Sequence, residues 1–299
     1  MKRTLLISVL ALLLLSGCAG RTETAAPTPA PAPLPTAAPE PTPEPTPEET
    51  FPFAFSQELL DEPTCAASVT ALGVDADGNW IFHLKMENRS DEIQSFRFLY
   101  QSINGLTCED FVYRLRIGET MERSFRVFRE TLESFGMEKP VQWSFTLRIS
   151  SPESDRAPLA HEEFSVCPFG EAAAVRYEYA PTTGDMVVMD NACVTVYVTG
   201  YSRTEEGLAV NYVAVNKSEA PIRLLIEDGE CLVNGLPARA RMSDALGGFA
   251  TLLGYVPLSG EFDPDAVKTI DFTLSLADPV DPKNKAFEEL SAEVMLTLR

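Results

Sequence analysis

Trp80-Ile81-Phe82-His83-Leu84-Lys85-Met86-Glu87 puts Trp80, Phe82, Leu84 and Met86 at one parity and Ile81, His83, Lys85 and Glu87 at the other. Neighbouring side chains of a strand point to opposite faces, so this alternation buries one face of a sheet and wets the other. A helix would scatter the same four large side chains around its axis. Val141-Gln142-Trp143-Ser144-Phe145-Thr146-Leu147-Arg148-Ile149 reads the same way, with its odd-numbered residues inward. So do Ile270, Phe272, Leu274 and Leu276 against Asp271, Thr273 and Ser275, and Val194, Val196 and Val198 against Thr195, Tyr197 and Thr199. Period two with one polar face predicts antiparallel strands.

Turn signals separate these runs: Asp77-Gly78-Asn79, Asn88 to Asp91, Asn104-Gly105, Gly118, Gly200, Asn216 to Glu219 and Asn234-Gly235. Asn-Gly between apolar runs is a hairpin signal, because a type I′ turn needs positive φ at both central residues. One short helix is expected at Arg129 to Phe135, and a brief turn at Asp263 to Ala266.

The landmarks recur at a separation of 127 to 130 residues. Leu60-Asp61-Glu62 answers Met189-Asp190-Asn191, Cys65 answers Cys193, and Asn88-Arg89-Ser90 answers Asn216-Lys217-Ser218. Asn104-Gly105 answers Asn234-Gly235, and Ser144-Phe145-Thr146-Leu147 answers Asp271-Phe272-Thr273-Leu274. Such spacing predicts two copies of one unit, each long enough to close its own core. The expected fold class is all-β: two tandem antiparallel β-sandwiches of immunoglobulin-like form, at residues 51–168 and 186–299, with a joint at 168 to 186. The order Met-Asp-Asn, strand, Asn-Lys-Ser, strand, Asn-Gly, strand, short turn, aromatic strand resembles immunoglobulin-like domains found on membrane-anchored proteins of Gram-positive bacteria. The resemblance covers about residues 56 to 298. It implies a cell-envelope setting and no particular activity.

Ahead of the repeats, Met1-Lys2-Arg3 is basic and Leu5 to Leu15 is an apolar run broken only by Ser8. At 1.5 Å per residue that run is too short to span a bilayer core of ~30 Å. It ends in Leu15-Ser16-Gly17-Cys18, which resembles the lipobox of bacterial lipoproteins. That resemblance implies a signal peptide at residues 1–17, cleavage after Gly17 and lipidation of Cys18, so that the membrane is reached through lipid on Cys18. Residues 18–50 carry a proline at nearly every second position from Pro27 to Pro47. Proline donates no backbone hydrogen bond, so this segment is expected to be a disordered tether of polyproline II character, at ~3.1 Å per residue. A PxxP-type ligand or a glycosylated stem are other readings of the same composition.

The 299 residues hold 24 Lys plus Arg against 44 Asp plus Glu, a formal charge of -20. That balance excludes nucleic acid as a partner, since phosphate binding needs clustered cations. The chain contains no P-loop, G-x-S-x-G, H-E-x-x-H or paired C-x-x-C. Its two histidines, His83 and His161, fall on outward strand positions, where they read as surface residues. The pairs Glu162-Glu163, Glu205-Glu206 and Glu288-Glu289 place adjacent carboxylates on opposite strand faces and cannot act together. Asp75-Ala76-Asp77-Gly78-Asn79 is a fragment of a calcium-loop pattern without its distal Glu, and reads as a hairpin loop. Asp263-Pro264-Asp265 and Asp278-Pro279-Val280-Asp281-Pro282 read as acidic turns. No residue is assigned to catalysis, to a cofactor or to a metal.

Beyond Cys18, Cys65, Cys108, Cys167, Cys193 and Cys231 are odd in number. They read as buried thiols, with Cys193–Cys231 the bridge that fits if one forms. Ala245-Leu246-Gly247-Gly248-Phe249-Ala250 and Leu252-Leu253-Gly254-Tyr255 form an apolar stretch where the first copy has the charged Glu119 to Arg126. It is either a partner-binding patch or a strand buried on both faces or beneath the joint. The expected function is that of a lipid-anchored protein on the extracytoplasmic face of the cell membrane. It would display two modules for non-catalytic binding, with a cell-wall component or envelope protein as partner. The alternatives are a structural stalk or accessory subunit of an envelope complex, and an extracytoplasmic enzyme.

Overall fold

The computed structural model describes residue 50 and residues 54–151, 158–205, 207–226, 231–279 and 290–298. The signal peptide, Cys18 and nearly all of the tether lie outside the described residues. Among the described residues the fold is all-β, broken by one helix, α1 (Arg129–Ser134), and by single 3-10 turns at Glu171–Ala173 and Pro264–Ala266. α1 ends one residue before the expected boundary.

The first half contains β1 (Gln57–Glu62), β2 (Cys65–Val74), β3 (Trp80–Asn88), β4 (Gln94–Ile103), β5 (Leu106–Thr107), β6 (Phe111–Leu115), β7 (Thr120–Val127), β8 (Trp143–Ser150) and β9 (Ala160–Val166). One antiparallel sheet runs β1-β2-β3-β7, and a second runs β6-β4-β8-β9. The sequence alternation closes the sandwich. Phe82, Leu84 and Met86 from β3 meet Phe96 and Phe98 from β4 and Trp143, Leu147 and Ile149 from β8, all fully buried or nearly so. Burying each such side chain contributes roughly 1.5–3 kcal/mol. Trp143 is the centrepiece, its ring 4.4 Å from Phe145, 5.1 Å from Phe82 and 5.2 Å from Phe125. Its indole N–H donates to Gln101 Oε1 at 3.1 Å.

The second half contains β10 (Met186–Asp190), β11 (Val194–Thr204), β12 (Gly207–Asn216), β13 (Ile222–Ile226), β14 (Cys231–Val233), β15 (Leu236–Ala240), β16 (Met242–Leu246), β17 (Thr251–Ser259), β18 (Thr269–Ala277) and β19 (Ala292–Thr297). Its sheets are β10-β11-β12-β17 and β16-β13-β18-β19, the first half's pairing strand for strand. The β14–β15 hairpin adds to β18 and touches β17. The buried apolar residues form two clusters, one drawn from residues 59–166 and the other from residues 189–296.

The correspondence reaches individual residues. Register shifts fall between Glu58 and Leu60 and between Val69 and Ala71, and again between Val187 and Met189 and between Val198 and Gly200. Asn88 Nδ2 donates to the carbonyls of Glu92, Leu115 and Arg116 while its Oδ1 accepts from Ser90. Asn216 does the same to Ala220 and Gly247 and accepts from Ser218. Asn104 and Asn234 both adopt φ near +50°, and each is followed by a glycine at positive φ. The side-chain oxygen of each accepts two backbone N–H groups from the segment before the next inner strand. The cysteines follow a different register from the sequence alignment. Cys65 pairs across from Asn88 as Val194 pairs across from Asn216, so Cys65 matches Val194, and Cys193 falls one position earlier. All five described cysteines are free thiols, so Cys193 and Cys231 are not bridged.

The halves meet at the first Asn-Gly turn. Thr251 N–H donates to Gly105 O, and Tyr177 N–H donates to Asn104 O, each at 2.7 Å. Thr251 and Leu106 make one parallel bridge between β17 and β5. Tyr100, at positive φ beside the shift in β4, sets its carbonyl against Gly247, where a Cβ would come within 2.5 Å. Arg176 lies 4.4 Å above the ring of Phe249. The apolar stretch therefore divides: Leu246 is buried in the second half's core and Ala250 is buried beside the joint residue Thr251, whereas Leu253 and Tyr255 on β17 are exposed.

Candidate functional site

Because Phe96 and Phe98 point into the first core, Arg97 and Leu99 between them face outward on β4. Arg148 faces outward on β8 for the same reason and stands directly opposite Arg97. In the second half, buried Ile222 and Leu224 turn Arg223 outward on β13. The joint brings these faces together as two walls of a cleft of about 820 Å³. Arg97, Arg148, Tyr100 and Thr107 line it from the first half, and Arg223 and Asp244 from the second. Leu99, Leu252, Leu253 and Pro279 add apolar surface.

The electrostatics of this cleft are unusual for so acidic a chain. The Nε atoms of Arg97, Arg148 and Arg223 and the Thr107 hydroxyl are buried and have no hydrogen-bond partner among the described residues. A buried donor left unpaired costs roughly 1–3 kcal/mol. Like charges directly opposite on a sheet are also destabilising. Two of the cleft's acids are engaged or disfavoured as counter-charges. Asp244 accepts a hydrogen bond from the Tyr212 hydroxyl. Burial raises the Asp110 carboxyl above its ordinary range, opposed by bonds from the Gln101 and Tyr100 backbones and by the charge of Arg223. Burial, then the neighbouring Asp110 and Glu109, push the Cys108 thiol up to about 12, so it remains protonated. The arrangement offers charge-assisted hydrogen bonds from guanidinium groups.

The second half supplies a comparison at the same positions. Ser95 and Ser150 in β4 and β8 answer Arg223 and Ala277, so Arg97 and Arg148 answer Leu225 and Ser275. The sandwich therefore closes without an arginine pair at this place.

The residues singled out from the sequence stand elsewhere. Cys18 lies outside the described residues, as do Glu206, Glu288 and Glu289. His83, on β3, approaches Ser124 Oγ on β7 at 3.3 Å through Nδ1. His161, on β9, lies in the other sheet, opposite Arg148. Glu162 and Glu163 are both exposed. The Asp75 carboxylate is spent within its own loop: Oδ1 accepts the N–H groups of Asp77 and Asn79, and Oδ2 accepts from the Asn79 amide. Burial alone would raise its pKa, but these bonds and Arg126 hold it below the usual range. The cleft arginines were not singled out from the sequence. The signal that would have found them is the mismatch between copies, arginine against leucine and serine at positions of like parity.

No family model matches the chain, and no curated protein matches it.

Proposed function

We propose that the chain is an envelope lipoprotein, held to the extracytoplasmic membrane face by lipid on Cys18, whose tandem immunoglobulin-like units perform non-catalytic binding. The observation that carries this reading is the cleft of about 820 Å³ walled by both halves and lined by polar groups without partners. Binding sites are concave and use a few convergent polar groups to fix a ligand; this cleft is concave and brings such groups together beside an apolar patch of Leu99, Leu252, Leu253 and Pro279. Two units would be needed to make it, which gives the duplication a purpose. Pro-rich residues 18–50 would carry the cleft away from the lipid surface.

The test has two parts. With Cys18→Ala the protein should leave the membrane fraction of the producing cell. With Ser243→Trp, an exposed residue at the cleft lining, retention on purified envelope fragments should fall about tenfold. Membrane retention of Cys18→Ala, or unchanged envelope binding by Ser243→Trp, contradicts the proposal. A second reading, a stalk, is favoured by the backbone bonds at Gly105 and Asn104 that stiffen the joint. It predicts that Ser243→Trp changes nothing.

A further inference from the structure

We infer that the joint cleft is an oxyanion site, in which Arg97, Arg148 and Arg223 take a carboxylate or phosphate group of the ligand. This rests on the binding reading above and names the chemistry of its ligand.

Three observations converge. The first is charge placement. In a chain of formal charge -20, two arginines stand directly across from one another on neighbouring strands and a third reaches the same cavity from the other half. None of the three makes an ion pair with a described residue. Their neighbours on the facing strands do not neutralise them: Val112 lies opposite Arg97 on β6, His161 lies opposite Arg148 on β9, and Ala245 and Ala277 flank Arg223. Of the acids that share the lining, Asp110 feels the charge of Arg223 without forming an ion pair with it, and Asp244 is engaged by the Tyr212 hydroxyl.

The second is unsatisfied donors. Three buried Nε–H groups and the Thr107 hydroxyl stand without partners in one cavity. Guanidinium presents a planar fork that matches carboxylate and phosphate geometry, often through two parallel bonds. A single oxyanion accepting from these donors would relieve both the unpaired atoms and the repulsion between Arg97 and Arg148.

The third is that the fold does not require the arginines. At the positions of Arg97 and Arg148 the second half has Leu225 and Ser275 in the same cross-strand pairing. A pair that repels, and that the sister copy omits, is explained by something it binds. The apolar wall of Leu99, Leu252, Leu253 and Pro279 beside the charges suits an anion attached to a larger body, such as a ring that lies against it.

The experiment uses the full chain and two probes, inorganic phosphate and glucuronate, titrated while the arginine Nε–Hε resonances and the thermal midpoint are followed. At least one probe should bind with a dissociation constant of about 1 mM or tighter, shift those resonances and raise the midpoint. Binding by phosphate alone assigns a phosphate-bearing ligand, and binding by glucuronate alone assigns a carboxylate. Arg97→Leu with Arg148→Ser, which installs the second half's residues, should weaken binding at least about tenfold and leave the ligand-free midpoint unchanged or higher. Arg223→Gln, on the opposite wall, should weaken binding in the same sense and serves as the reading if the double variant folds poorly. No binding of either probe at about 20 mM, or equal binding by all variants, overturns the inference. If Ser243→Trp abolishes envelope binding while the arginine variants retain it, the oxyanion inference fails and the binding reading stands.

Discussion

Asn88 and Asn216 show how much one side chain can fix. Each amide spans a loop and the strand beside it, donating to backbone carbonyls and accepting a Ser N–H and hydroxyl in return. Both are almost fully buried, where an amide must meet all its partners. The Asn-x-Ser spacing was legible because the motif recurs, whereas the carbonyls of Leu115, Arg116 and Gly247 that it serves were not, since they lie far away in sequence. Around these loops several carboxylates are held in the charged form. Lys217 and then Thr195 lower Asp190, Tyr179 and the Thr182 backbone lower Asp185, and Lys85 and Arg89 lower Glu87. A carboxylate whose folded pKa lies below its unfolded value stabilises the fold above the unfolded value, and that stability is lost as pH falls through the folded one. Thermal unfolding midpoints should therefore hold from neutral pH down to about 4 and drop below it; a midpoint that rises on acidification from 4 to 2 would contradict these assignments. The thiols supply a second prediction. Burial raises Cys65, Cys231 (to about 11) and Cys108 (to about 12). In a pulse of thiol reagent at pH 8, peptide mapping should find the buried Cys65 and Cys231 labelled at least about tenfold more slowly than Cys167 and Cys193, which like Cys108 are partly exposed. Equal labelling of all five would contradict it.

At the scale of elements, period two was enough to place the inner strands, since burial on one face writes itself directly into alternation. The Asn-Gly turns were equally plain, because few other residues accept two successive positive φ values. What the sequence did not reveal is what the elements do at their edges. β7 and β17 occupy equivalent edge positions, but β7 exposes Glu122 and Arg123 to solvent and β17 turns at Thr251 to dock on β5. The difference depends on Gly247 and Gly248, whose missing side chains let the chain pass the carbonyls of Tyr100 and Glu219. A Cβ at Gly248 would sit 1.9 Å from Glu219 O, a contact that can be relieved only by moving backbone. Gly248→Ala should therefore destabilise the protein by roughly 1–3 kcal/mol in denaturant unfolding. Gly118→Ala, where nothing lies within 4 Å but φ is +68°, tests conformational strain alone and should cost about 1 kcal/mol. Equal costs at the two sites would remove the close-approach argument. The cleft arginines were invisible at this scale because alternation says which residues face outward and not what they face.

Among the described residues, two hydrophobic clusters that share no residue meet at the Asn104-Gly105 turn, at the Thr251–Leu106 bridge and where the Tyr100 carbonyl packs on Gly247. Repetition in the sequence marked the recurring alternating strands and turns, while the order in which the strands pair and the joint were not legible in it. The separateness of the cores, on which both the duplication and the cleft between the halves depend, is open to direct measurement. Trp143 is fully buried at the centre of the first cluster, and Trp143→Ala should cost about 3–5 kcal/mol there. Amide hydrogen exchange, read peptide by peptide, should show protection in β3, β4 and β8 falling by two or more orders of magnitude in this variant, with β11, β12 and β18 within about threefold of the native protein. An equal loss of protection in both halves would mean that they fold around a single shared core, and would contradict the account.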